Sequence, residues 1–183
     1  MVARWLGVHS PIGKDLDSLA DVVSFGVAPS MILFKMLWAA YMAKPHAMDV
    51  SMIALAPAFL LACFGALRLA RFNNSVSTTA HFTGVPIPAI GLLVASFPLI
   101  NWYNPLGIGL RMQNAWILYA IIALLCWLMI SPIKLFTLKF HSFSVKKYWA
   151  QVLWILLTLV SIPFLKTLSV PFSFLLYIIL SFA

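Results

Sequence analysis

The acidic side chains are the residues best placed to do chemistry. The chain has 183 residues, no glutamate and four aspartates: Asp15, Asp17, Asp21 and Asp49. Three of the four fall within seven residues. Asp17 and Asp21 are four apart, so a helix would stack them on one face with Cβ atoms about 5–6 Å apart. The segment then runs straight into the apolar stretch Val22–Phe34. Carboxylates at such a boundary are costly to desolvate and tend to mark function. Their mutual repulsion becomes binding once a divalent cation bridges them. Two hard oxygen donors suit Mg²⁺, Mn²⁺ or Ca²⁺ better than Zn²⁺. Asp15 and Asp17 also read as solvated first-turn residues favoured by the helix dipole.

A second group is cationic. Arg68 and Arg71 close an apolar run and lie three apart, on neighbouring faces of a helix. They read either as a pocket for a phosphate or carboxylate, or as anchors at the level of lipid headgroups. His9, His46, His81 and His141 are dispersed and carry no paired metal-ligand spacing. Cys63 and Cys126 sit inside apolar runs and read as small buried hydrophobes. Asn73-Asn74-Ser75 reads as a loop. Ser24 and Ser30 lie close to the aspartates, where hydroxyls commonly satisfy helix backbone.

What must position these residues is a membrane. Hydrophobic residues make up 63% and charged residues 9%. A soluble domain averages about 45–50% and 25%. A chain of this size could not hide that much apolar surface from water. The composition excludes a soluble globular domain, a disordered tail and a nucleic-acid-binding module. The net charge of +8 does not argue otherwise, because the basic residues are scattered between apolar runs.

Uncharged runs extend over 50–67, 85–103, 112–133, 148–165 and 167–183. Each approaches the roughly 17–25 residues of a membrane-spanning helix. The last two are parted only by Lys166, which predicts a tight turn. A sixth segment, about 16–43, carries Asp17, Asp21 and Lys35. The fold class expected is therefore all-α: a polytopic membrane helix bundle of about six transmembrane helices, forming one domain over 1–183. Closed barrels are disfavoured because the runs do not alternate. Alternating connections put Arg4, Lys14, Arg68, Arg71, Lys134, Lys139, Lys146 and Lys147 on one side, and Lys44, Arg111 and Lys166 on the other. The positive-inside rule makes the first side cytoplasmic.

The spacing around the aspartates is more specific than the pair itself. Ala3-Arg4 is followed by eight residues, Gly13, three residues, Asp17, three residues and Asp21. This resembles the CDP-alcohol phosphatidyltransferase signature D-x-x-D-G-x-x-A-R-x8-G-x3-D-x3-D. The stretch Asp17–Pro29 (DSLADVVSFGVAP) is similar to the phosphatidylserine synthase branch of that family, as are Arg68–Asn73 (RLARFN) and Phe82–Pro88 (FTGVPIP). The signature's opening D-x-x-D-G would precede Met1. The resemblance thus implies a domain lacking its N-terminal one to two helices and half of a four-aspartate metal site, with little activity expected of the chain alone.

The resemblance implies transfer of a phosphatidyl group from CDP-diacylglycerol to L-serine, releasing CMP, with Mg²⁺ or Mn²⁺ as cofactor. By that analogy Asp17 and Asp21 are metal ligands and Asp21 is the candidate general base. Arg4 meets the cytidine diphosphate portion. Gly13 either allows close helix packing near the nucleotide or breaks the chain before the helix. Arg68 and Arg71 line the substrate pocket. The expected partners are the two substrates, membrane lipids and a second copy in a homodimer, with no nucleic acid. The expected location is a bacterial cytoplasmic membrane with the site facing the cytoplasm. A sister transferase using glycerol phosphate or inositol is the alternative within the class. A transporter would need polar residues along several spans, and five of the six runs carry no charge. A non-catalytic membrane protein is the third reading.

Overall fold

The computed structural model describes residues 11–43, 50–74, 82–135 and 149–181. All six segments expected from the sequence are helical there. The first is α1 (Pro11–Val22), a five-residue π turn (Val23–Val27) and α2 (Ala28–Met42). Then come α3 (Met52–Leu55), a 3₁₀ stretch (Ala56–Phe59) and α4 (Leu60–Asn74). Next are β1 (Phe82–Thr83), α5 (Ile87–Tyr103), α6 (Ile108–Met112) and α7 (Ala115–Ile130). The chain continues through β2 (Lys134–Leu135), α8 (Trp149–Leu165) and α9 (Ser169–Ser181). The two short strands pair antiparallel, Phe82 opposite Leu135 and Thr83 opposite Lys134.

Among the described residues, Asp15–Met42, Met52–Asn73 and Gln151–Ser181 are long and apolar enough to cross a membrane, and α5 and α7 are shorter apolar helices. The third of these stretches folds back on itself. Lys166 has a positive φ of 44° and opens a 3₁₀ turn. Beyond it α9 runs antiparallel to α8, with Trp154 Nε1 donating to the Ser173 carbonyl at 2.9 Å and the Thr158 and Ser173 hydroxyls 3.0 Å apart. The turn expected at Lys166 is present.

Two boundaries differ from the sequence reading. Within the run 112–133 the helix is α7, which starts at Ala115, three residues in: α6 ends at Met112, and Asn114 caps α7 by accepting the Trp116 N–H at 3.0 Å. An asparagine side chain satisfies a first-turn donor that would otherwise be orphaned. Asn73 and Asn74, read as loop, are the last residues of α4. Ser75 lies outside the described residues.

The core forms where helices meet: Leu33 and Leu37 of α2, Leu61 of α4, Ile90 and Val94 of α5, and Leu118 and Ile122 of α7 are all essentially inaccessible. The outside is apolar as well. Trp102 is 85% and Phe164 83% exposed, positions that water would penalise and lipid accepts. Cys126 is buried as expected, but Cys63 is exposed on this outer surface.

The first helix is pinned where it bends. Pro29 has no N–H to give the turn before it. That turn widens, and the Ala28 N–H reaches back five residues to the Val23 carbonyl. The Ser30 hydroxyl donates to the Gly26 carbonyl at 2.8 Å, so Ser30 serves the backbone. A Cβ on Gly26 would stand 3.4 Å from the Ala62 Cα, and one on Gly91 would stand 3.1 Å from the Phe25 side chain. The π turn is thus wedged between α4 and α5 at backbone-to-backbone range. Small residues permit such approach between membrane helices.

Candidate active site

Asp17 and Asp21 lie on α1, one turn apart, Asp17 exposed and Asp21 half-exposed. Ser18 fixes the helix here, accepting a hydrogen bond from Asn73 Nδ2 at 3.0 Å. The second half of α1 therefore rests on the end of α4, and with Gly26 facing Ala62 farther along the two helical stretches run antiparallel. Arg71 is in the last turn of α4, exposed.

Arg68, one turn deeper, is half-buried. Its guanidinium donates to the Gly84 carbonyl at 3.3 Å. Its Nε is buried and has no hydrogen-bond partner among the described residues. A buried guanidinium N–H is costly to leave unpaired, so this atom marks a place where an acceptor would be welcome. Gly84 is held rigidly opposite. Its φ is +77°, its N–H donates to the Ile133 carbonyl at 3.0 Å, and a Cβ would collide with the Met129 carbonyl oxygen. Only glycine fits such a position without strain. The two arginines are thus separated: Arg68 points into the protein, Arg71 out of it.

Gly13 lies inside α1 and does not break it, and a Cβ there would meet nothing within 4 Å among the described residues. Arg4 lies outside the described residues. The structure brings Asp17, Asp21, Arg68 and Arg71 to one end of the bundle through the α1–α4 contact. The β1–β2 pair puts Lys134 beside the Thr83–Gly84 corner at that same end. Lys166 and Arg111 stand at helix ends on the opposite side, as alternating connections require. Lys44, Lys139, Lys146 and Lys147 fall outside the described residues.

Sequence reasoning gave no role to Gly84, Asn73 or Ser18. Gly84 was visible only as part of a motif stretch. A glycine followed by Val-Pro, between an extended pair and a helix, was the available signal for a positive-φ corner.

The chemistry of the donor set fits a hard divalent cation in part. Two carboxylates on one helix face offer anionic oxygens, but no group of three or more possible metal-ligating His, Cys, Asp or Glu occurs among the described residues. The remaining coordination positions must be filled by other groups, and the phosphate oxygens of a substrate are of the right type.

The family model for CDP-alcohol phosphatidyltransferases matches residues 1–178. The chain belongs to the CDP-alcohol phosphatidyltransferase family. It is an integral membrane protein with several apolar helices, and this family is generally dependent on divalent metal. A CDP-diacylglycerol–serine O-phosphatidyltransferase of Helicobacter pylori is 36% identical over 172 residues, covering 92% of this chain and 66% of that protein. One of Bacillus subtilis is 37% identical over 144 residues, covering 78% of this chain and 68% of that protein. One of Methanocaldococcus jannaschii is 43% identical over 103 residues, 56% of this chain and 44% of that protein. The chain thus spans just under two thirds of the length of the Helicobacter pylori relative.

Proposed function

We propose that this chain carries the phosphatidyl-transfer site of a serine phosphatidyltransferase. CDP-diacylglycerol and L-serine would give phosphatidylserine and CMP. The observation that carries the reading is the stacked Asp17/Asp21 pair, docked by the Ser18–Asn73 hydrogen bond against the helix that bears Arg68. The serine acceptor is supported by the names of the relatives from Helicobacter, Bacillus and Methanocaldococcus.

The side chains support the mechanism that the family resemblance implies. The serine hydroxyl oxygen forms a bond to the phosphorus that bears diacylglycerol. The bond from that phosphorus to the bridging oxygen breaks, and CMP leaves with this oxygen. The hydroxyl proton passes to the Asp21 carboxylate, which its half-exposed position leaves open to solvent and substrate. Asp17 and Asp21 would hold Mg²⁺ or Mn²⁺. When bound, such an ion neutralises the pyrophosphate and stabilises charge on the leaving oxygen. Arg68 would offer its Nε, which has no partner among the described residues, to a phosphate or carboxylate oxygen, a contact that a planar guanidinium makes well. Arg71 sits at the rim, where it attracts anionic substrate, and Arg4 would meet the nucleotide diphosphate. Gly13, beside which a Cβ would meet nothing within 4 Å among the described residues, would allow close packing near the nucleotide.

We place the protein in a bacterial cytoplasmic membrane with six crossings, the carboxylate end facing the cytoplasm, where the positive-inside rule puts the larger share of its basic residues. A homodimer is the assembly proposed. The test is CMP release from CDP-diacylglycerol by the full-length protein, with serine, glycerol phosphate or inositol offered separately. Release with serine alone is expected. Release only with glycerol phosphate or inositol would move the chain to a sister activity.

A further inference from the structure

The end of the bundle remote from the carboxylates holds a cleft of about 570 Å³ between α2, the end of α5 and α6. Its walls are mostly apolar, among them Met31, Trp102 and Met112. Three polar side chains also line it: Lys35, Asn101 and Gln113. Lys35 is the one cation within an otherwise apolar helix. Its Nζ lies 5.3 Å from the centre of the Trp38 ring. No described carboxylate can pair with it, because Asp15, Asp17 and Asp21 all lie on α1. The nearest of them in sequence is 14 residues away, roughly 21 Å along a helix axis. Gln113 Nε2 donates to Asn101 Oδ1 at 3.4 Å. That bond uses the Asn101 oxygen and leaves its Nδ2 with no partner among the described residues.

An ammonium with no carboxylate beside it among the described residues and two amide donors, set in mostly apolar walls, form a site for an amphiphile with an anionic head. The geometry points to an anionic phospholipid of the leaflet opposite the carboxylates, its phosphate on Lys35 and the amides of Asn101 and Gln113, its acyl chains along Met31, Trp102 and Met112. A free inorganic anion would leave the apolar walls unused. A cation would be repelled by Lys35. This site is separate from the transfer chemistry and does not depend on which alcohol the protein uses.

The test uses the purified chain and native mass spectrometry, with phosphatidylglycerol and phosphatidylcholine as competing probes. Wild type should retain phosphatidylglycerol over phosphatidylcholine by about tenfold. Lys35→Gln should cut that preference to about twofold, while Lys35→Arg keeps it. Arg111→Gln removes the same charge from a neighbouring position outside the lining of the cleft and should leave the preference intact. Lys35 is exposed, so its variants are expected to fold, and far-UV circular dichroism checks this. The lipid assignment is overturned if Lys35→Gln retains wild-type preference. It is equally overturned if inorganic phosphate alone raises the melting temperature as much as phosphatidylglycerol, or if Lys35→Gln instead splits a dimer without altering lipid retention.

Discussion

Ser18, seated between Asp17 and Asp21, accepts a hydrogen bond from Asn73 at 3.0 Å. That bond ties the acidic face of α1 to the helix bearing Arg68 and Arg71. A buried or half-buried hydrogen bond contributes about 1 kcal/mol net. Asn73→Ala is therefore expected to lower stability only modestly. It should lower CMP release further, because the carboxylates lose their registration against α4. Thermal unfolding in detergent and the CMP assay, run on one preparation, check the two effects separately.

Asp21→Asn keeps the shape of the side chain and removes its basicity. General-base catalysis contributes typically 10²–10⁴-fold. In the full-length protein a loss of about that size in CMP release is expected, with membrane insertion unchanged. Turnover at wild-type rate would remove Asp21 from the proton-transfer step.

Chelation offers a second route to the same site. EDTA should stop CMP release, and added Mg²⁺ or Mn²⁺ should restore it, since hard oxygen donors prefer these ions. Turnover indifferent to chelator would count against the carboxylates as cation holders.

Arg68 and Arg71 should behave differently despite their spacing of three. Arg68→Lys loses the planar fork and the Nε–H, and lysine's point charge does not replace it. Activity should fall by about tenfold or more, the scale of one charge-assisted hydrogen bond. Arg71→Lys, at an exposed rim, should lose about twofold or less, in keeping with the small worth of exposed charges. The CMP assay over a range of serine concentrations separates them.

Gly84→Ala tests the corner that holds Arg68. A non-glycine residue at positive φ costs of order 1–3 kcal/mol, and here the added Cβ also collides with the Met129 carbonyl. The melting temperature should drop by several degrees. Arg68 function should weaken with it, because the Gly84 carbonyl moves.

The helices were legible because apolar runs broken by charge leave few alternatives, and Lys166 between two such runs could only be a turn. The carboxylate pair was legible because spacing of four is a property of any helix. The π turn was not legible. It arises where Pro29 withholds a donor while Gly26 and Gly91 draw helices together, a tertiary cause that periodicity does not carry. The start of α7 at Ala115 was not legible, because Asn114 caps the helix without carrying a charge. The difference between Arg68 and Arg71 was missed because burial depends on Gly84, sixteen residues away from Arg68.

Everything proposed for the transfer chemistry requires that Asp17 and Asp21 together hold a divalent cation beside the nucleotide-activated lipid. The most direct measurement is Mn²⁺ binding followed by electron paramagnetic resonance with CDP-diacylglycerol present. Wild type is expected to bind Mn²⁺, and the Asp17→Asn/Asp21→Asn double variant to lose that binding while still inserting in membranes. Equal Mn²⁺ affinity in both proteins would contradict the claim.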